Sequence, residues 1–134
     1  MRWAVVLAGG VGSRFWPLST AARPKQFLPL AGAEPLIMDA VHRIVPLVPA
    51  DRVLIVTSQL LADATRAALP MIPPANVLAE PFAASTAPAL AWATAHAARH
   101  DPDAVVLSLH ADWTVGDPRG FRARELLELH LAAE

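Results

Sequence analysis

Among 134 residues there is no cysteine and only one lysine, Lys25, so ten arginines supply every other side-chain cation of the eleven. The missing thiols exclude disulfides, thiolate metal sites and cysteine nucleophiles. A net charge of −1 leaves no electrostatic footprint for nucleic acid or an anionic membrane, so neither is expected as a partner. Long apolar runs are also lacking. Residues 3–8 are too few for a secretory core and are ended by Gly9 and Gly10, which reads as a buried strand. Residues 81–98 carry no charge, but Ser85, Thr86, Pro88, Thr94 and His96 make them too polar for a membrane span and better suited to a packed helix. Cytoplasm is the compartment expected by default. No internal repeat, linker or low-complexity tract marks a domain boundary.

What is present suggests one well-buried domain: 54% of the residues are hydrophobic and 17% charged. Apolar runs over residues 3–7, 52–57, 76–79 and 104–109 have the length and Val/Leu/Ile content of buried strands. Helical patterns fill the gaps. Pro35 opens one helix with Ile37, Val41, Ile44, Val45 and Val48 on a single face. Residues 60–69 suggest a second, residues 87–100 an alanine-faced third capped by Thr86 or Ser85, and residues 118–133 a fourth. In that fourth segment Phe121 meets Arg124 and Glu125, so the apolar stripe breaks before Leu127 and Leu131. Alternation of strand and helix predicts an α/β fold, a mostly parallel sheet with helices on both faces. Ligands of such sheets bind beyond the carboxyl ends of the strands, where residues 9–25, 80–86 and 110–113 fall.

The single lysine closes a glycine-rich loop, LAGGVGSRFWPLSTAARPKQF, over residues 7–27. Gly9, Gly10 and Gly12 directly after a strand let backbone amides approach an anion without Cβ obstruction. Lysine is a compact point charge suited to a phosphate oxygen. A dinucleotide fingerprint would need glycine where Phe15 stands and a helix that Pro17 forbids, and a Walker loop would need Gly-Lys-Ser/Thr where Gly12-Ser13-Arg14 stands. In the arrangement that remains, Arg14 follows the glycines, Pro17-Leu18 stiffens the loop, and Arg23-Pro24-Lys25 returns a second cation.

GSRFWPLS followed by RPKQFLPL resembles the signature of the sugar nucleotidyltransferases, in the mannose-1-phosphate guanylyltransferase branch. Two further segments are similar to that family's EPxxRNTAPA and PADH: Glu80-Pro81 with Thr86-Ala87-Pro88-Ala89, and His110-Ala111-Asp112-Trp113. Ala84 and Ser85 depart from the usual arginine and asparagine, and His110 and Trp113 from the usual proline and histidine. The resemblance reaches from residue 3 to about residue 121. It implies a Rossmann-like fold of the nucleotide-diphospho-sugar transferase type. Members are longer, so residues 1–134 would be the nucleotide-binding N-terminal part, with the sugar-binding part outside it and little turnover by this chain alone.

The implied reaction is attack of mannose 1-phosphate on the α-phosphorus of GTP, giving GDP-mannose and pyrophosphate without a covalent enzyme intermediate. The protein's task is then in-line positioning and charge screening, with Mg²⁺ as the expected cofactor. Arg14, Lys25 and Asp112 are the implied catalytic residues. Nucleotide contacts would come from Leu7, Ala8, Gly9, Gly10, Gly12, Ser13, Arg14, Lys25, Glu80, Ser85, Thr86 and Asp112. Asp112 is the implied Mg²⁺ ligand and Glu80 the acceptor for guanine's N1–H and exocyclic amine. A surface cap and an exposed turn residue are the plainer readings of these two acids. His42, His96, His100 and His130 lack metal spacing, whereas His110 lies beside Asp112, within reach of phosphate or ribose. Homo-oligomerisation, a different hexose 1-phosphate, and a non-catalytic nucleotide-binding or interaction module stay open at this level.

Overall fold

The computed structural model describes residues 1–10 and 16–132. Four strands, β1 (Arg2–Leu7), β2 (Val53–Ser58), β3 (Val77–Glu80) and β4 (Val105–His110), form one parallel sheet in the order β3-β2-β1-β4. The expected strands are all present, each displaced by about one residue. Its helices are α1 (Leu36–Ile44), α2 (Ala62–Ala68), α3 (Thr86–His100) and α4 (Pro118–Leu131). Among the described residues no helix is long and apolar enough to cross a membrane.

Successive side chains of a strand point to opposite faces, so β1 must supply two cores at once. Ala4 and Val6 join Ile37, Ala40, Val41 and Ile44 of α1 on one side. Trp3 and Val5 meet Ala89, Ala93 and Ala97 of α3 on the other. Spacing of four residues puts those alanines on one stripe, and small side chains let α3 lie close to the sheet. The helices therefore do cover both faces.

Three local readings need correction. The pattern over residues 60–69 divides into a tight 3₁₀ turn, Gln59–Leu61, and the shorter α2. Ser85 stands at the cap position of α3 but its side chain accepts no hydrogen bond from the helix, and neither does that of Thr86 serve as cap. A capping side chain needs an extended backbone to reach back to the first-turn amides; Ser85 has φ 72° and ψ 176° instead. The third correction is an omission: Asp117 caps α4, its Oδ1 accepting from the N–H groups of Arg119 and Gly120 at 3.1 and 3.0 Å. Along α4 only Leu129 is buried, in keeping with its broken stripe.

Arg43 ties three elements together from the buried side of α1. Its guanidinium pairs with Asp39 at 3.0 Å, donates to the Trp113 carbonyl at 2.9 Å, and lies 5.5 Å from the centre of the Phe121 ring. The aliphatic stem packs while the planar head works, which a leucine or methionine cannot do. Arg43→Met should cost about 1–2 kcal/mol, mainly through the lost charge-assisted bond to Trp113, and lower Tm by roughly 5–10 °C. Thermal denaturation followed by circular dichroism measures it; an unchanged Tm would show that the bond contributes nothing net.

Candidate functional site

The carboxyl ends of the strands open into a cleft of about 320 Å³ that runs from β3 to β4. Register explains its width: Leu7 at the end of β1 lies opposite Val56 of β2 and His110 of β4, and Ser58 opposite Glu80 of β3, so all four chain exits face one side. The loop after β1 contributes residues 7–10, the 3₁₀ turn Lys25–Phe27 contributes Lys25 and Gln26, the β3–α3 turn contributes Glu80 and residues 83–86, and β4 leads into His110, Ala111 and Asp112.

Most of the residues singled out from the sequence therefore meet in one place. Leu7, Ala8, Gly9, Gly10, Lys25, Glu80, Ser85, Thr86 and Asp112 all line the cleft, as does His110. Gly12, Ser13 and Arg14 lie outside the described residues. Lys25 Nζ and the Asp112 carboxylate are in direct ionic contact, each side chain about one-quarter exposed. These charges come from chain segments 87 positions apart and meet in the lining of the cleft. Gly9 also has a packing reason to be glycine. A Cβ there would stand 3.3 Å from Oε2 of Glu80, so a larger residue would push that carboxylate aside. Ser85 holds a backbone conformation in which side chains are rare, at a cost on the order of 1–3 kcal/mol, and such strain concentrates at ligand sites.

Gln26 was not foreseen. It is 2% exposed, and its amide nitrogen donates to the carbonyls of Ala8 at 2.9 Å and Gly10 at 3.0 Å. Thr57 Oγ1 donates to the same Ala8 oxygen at 3.2 Å, while the Ala8 N–H donates to Val56 O at 2.8 Å. Two loop carbonyls are thus tied to one buried side chain, on either side of Gly9, which lines the cleft. A signal was available, because Gln26 alternates with Pro24 and Leu28, which are both buried. Its value was hidden because the partners are main-chain atoms 16 and 18 residues away. Gln26→Leu should destabilise the protein by about 1–3 kcal/mol by leaving the Gly10 carbonyl without its donor and the Ala8 carbonyl with Thr57 alone, and Gln26→Glu by more, since it turns carboxylate oxygens toward carbonyl oxygens. Chemical denaturation of the two variants tests this; equal stability of Gln and Glu at neutral pH would mean the amide is not the clamp.

An open parallel sheet with an acid, a lysine and two glycines at its carboxyl edge defines an α/β protein whose strand-end cleft has the chemistry to receive an anion. Comparison with known proteins makes this specific. The nucleotidyl transferase family pattern matches residues 3–133, and the chain belongs to that family. Among curated relatives, a mannose-1-phosphate guanylyltransferase of Escherichia coli K12 is 37% identical across 90% of this chain and 26% of its own length. The alginate biosynthesis protein AlgA of Pseudomonas putida is 38% identical across 97% of this chain and 27% of its own length. A solved structure from Thermus thermophilus, described as a mannose-1-phosphate geranyltransferase, superposes with a TM-score of 0.83 at 34% identity, covering 97% of this chain and 38% of that one. A putative glucose-1-phosphate thymidylyltransferase from Bacillus anthracis shares the fold, with a TM-score of 0.74 at 21% identity over 96% of this chain and 51% of that one. The chain spans about a quarter of the length of its curated relatives.

Proposed function

We propose that this chain carries the nucleotide half of an enzyme that transfers GMP from GTP to mannose 1-phosphate, yielding GDP-mannose and pyrophosphate. The observation that supports it most is the meeting of Gly9, Gly10, Lys25, Glu80 and Asp112 in one cleft of a nucleotidyl transferase fold. The names of relatives such as the Escherichia coli K12 protein favour the mannose and guanine assignment.

In this reading the amides between Ala8 and Gly10 cradle phosphate oxygens, their orientation held by Gln26. The ammonium of Lys25, which lines the same cleft, stabilises negative charge building on the α-phosphoryl group. Glu80 reaches toward Gly9 and accepts from guanine N1–H and the exocyclic amine, a donor pair that adenine does not present. Because the acceptor is itself an anionic phosphate, positioning and charge screening suffice and no general base is required.

The donors present suit Mg²⁺. No cluster of three or more metal-ligating side chains occurs among the described residues, yet Mg²⁺ needs only one or two carboxylates when phosphates and water complete its shell. Asp112 is the carboxylate that would hold it, partly exposed and already facing a cation. When bound, the metal would neutralise phosphate charge on the side of the cleft opposite Glu80.

Asp112→Asn keeps shape and removes charge. Mg²⁺-dependent GTP binding should weaken on the order of tenfold or more, while ligand-free stability changes by less than about 1 kcal/mol, since a partly exposed ion pair is worth little. Calorimetric titration of GTP at several Mg²⁺ concentrations decides it, and identical metal dependence in both proteins would remove Asp112 from the site.

A second consequence follows from the Lys25–Asp112 contact. Phosphate and metal must part these groups, so nucleotide and Mg²⁺ should bind cooperatively and each poorly alone. Lys25→Met should raise nucleotide-free Mn²⁺ affinity by roughly five- to tenfold through removal of the adjacent cation, and lower GTP affinity. Electron paramagnetic resonance of free Mn²⁺ reads the first effect without any turnover; unchanged Mn²⁺ affinity would show that the pair does not guard the carboxylate.

A further inference from the structure

Asp112 is carried by residues 111–117, which connect β4 to α4, and two fixed points bracket it. On one side Ala111, 1% exposed, donates its N–H to the Leu7 carbonyl at 3.0 Å and so continues the β1–β4 pairing by one step. On the other, the Trp113 carbonyl accepts from Nη2 of Arg43 at 2.9 Å. Among the described residues no other hydrogen bond holds the main chain from Asp112 to Gly116. We propose that Arg43 is a positioning residue for the cleft: from α1, 70 positions away from Trp113, it tethers the connection that delivers the Asp112 carboxylate. The inference rests on the reading of Asp112 as the metal carboxylate and assigns the side chain that holds it in place.

The donor is fixed independently of the turn it holds. Arg43 is 7% exposed and stands on a helix whose Ile37, Val41 and Ile44 are wholly buried. The same Nη2 donates to Asp39 at 3.0 Å, and the guanidinium carbon lies 5.5 Å from the centre of the Phe121 ring of α4. Its acceptor is a main-chain atom, which cannot rotate away as a side chain can, so the bond restrains the backbone of the residue next to Asp112. An aspartate side chain is short, and its carboxylate goes where its backbone goes. Without the tether the carboxylate would spread over more positions and hold a cation less well; groups that orient a metal ligand commonly matter by about tenfold or more in affinity. Charge alone argues in the opposite direction. Removing a cation from the neighbourhood of Asp112 would tighten metal binding there, so the sign of the change separates positioning from electrostatics.

Electron paramagnetic resonance of free Mn²⁺, with no nucleotide present, reads the effect on the 134-residue chain. Arg43→Met should weaken Mn²⁺ binding about tenfold. Arg43→Lys should recover part of the loss, because both hydrogen bonds leave from one nitrogen and an ammonium can stand in for it. In an Asp112→Asn background Arg43→Met should change nothing. Ile44→Val, a core substitution in the same helix, controls for general loosening and should leave Mn²⁺ affinity as in the wild type. Circular dichroism confirms that each variant is folded, and Arg43→Gln, too short to reach the carbonyl, takes the place of the methionine variant if that one is not. Unchanged or tighter Mn²⁺ binding on loss of the guanidinium would overturn the inference, as would an equal loss in Ile44→Val. Wild-type Mn²⁺ binding that Asp112→Asn leaves intact would instead remove the reading of Asp112 as the metal carboxylate, and the positioning role would fall with it.

Discussion

The central strand has no free face. β1 is hydrogen-bonded to β2 on one side and β4 on the other, and Ala4, Val5 and Val6 are fully buried. With both edges and both faces occupied, its position admits little adjustment, and every other element is placed by what β1 requires. Ala4 and Val6 call for an apolar helix on one side, supplied by the face of α1 that contains Ile37, Val41 and Ile44. Trp3 and Val5 call for a close one on the other, supplied by the alanine stripe of α3. A strand held so firmly is a good foundation for a loop that must keep its geometry.

That rigidity is passed to the cleft through main-chain atoms. Ala8, one residue beyond the strand, uses its N–H on Val56 and its carbonyl on both Gln26 and Thr57. Nothing at this junction is left for water to rearrange, so the glycines that follow leave the sheet in a fixed direction. Flexible residues thus begin from an inflexible point. The same economy appears after β4, where Arg43 holds the Trp113 carbonyl from within α1. In both places a buried polar side chain secures an exposed turn, which is less costly than burying the turn itself.

Charge in the cleft is local. With a net charge of −1 the whole chain offers an anion no long-range attraction, so in the proposed reading a phosphate would be met only by Lys25 and the loop amides at contact distance. The ion pair of Lys25 with Asp112 brings opposite charges from two distant chain segments together in the cleft.

Much of this could be read from residues alone, because the signals are local. Four Val/Leu/Ile runs separated by helical periods specify a parallel sheet, and parallel sheets put their binding loops at the strand ends. Glycine after a strand, a lone lysine after proline, and an acid after the fourth strand carry chemistry in their identity. Distance hid the rest. Gln26 looks like an ordinary turn residue until the fold brings the Ala8 and Gly10 carbonyls to it. Arg43 reads as a surface cation on a helix until α4 and the Trp113 turn close over it. Ser85 has the identity of a helix cap, yet the path of the chain from β3 to α3 imposes a left-handed φ that withdraws its side chain from that task. Sequence by itself determined which elements form and which residues bring reactive groups, since backbone preference and side-chain chemistry are properties of short stretches. Only the tertiary structure decided which buried polar groups hold the loops and which opposite charges meet, because those depend on atoms that packing alone brings within hydrogen-bonding range.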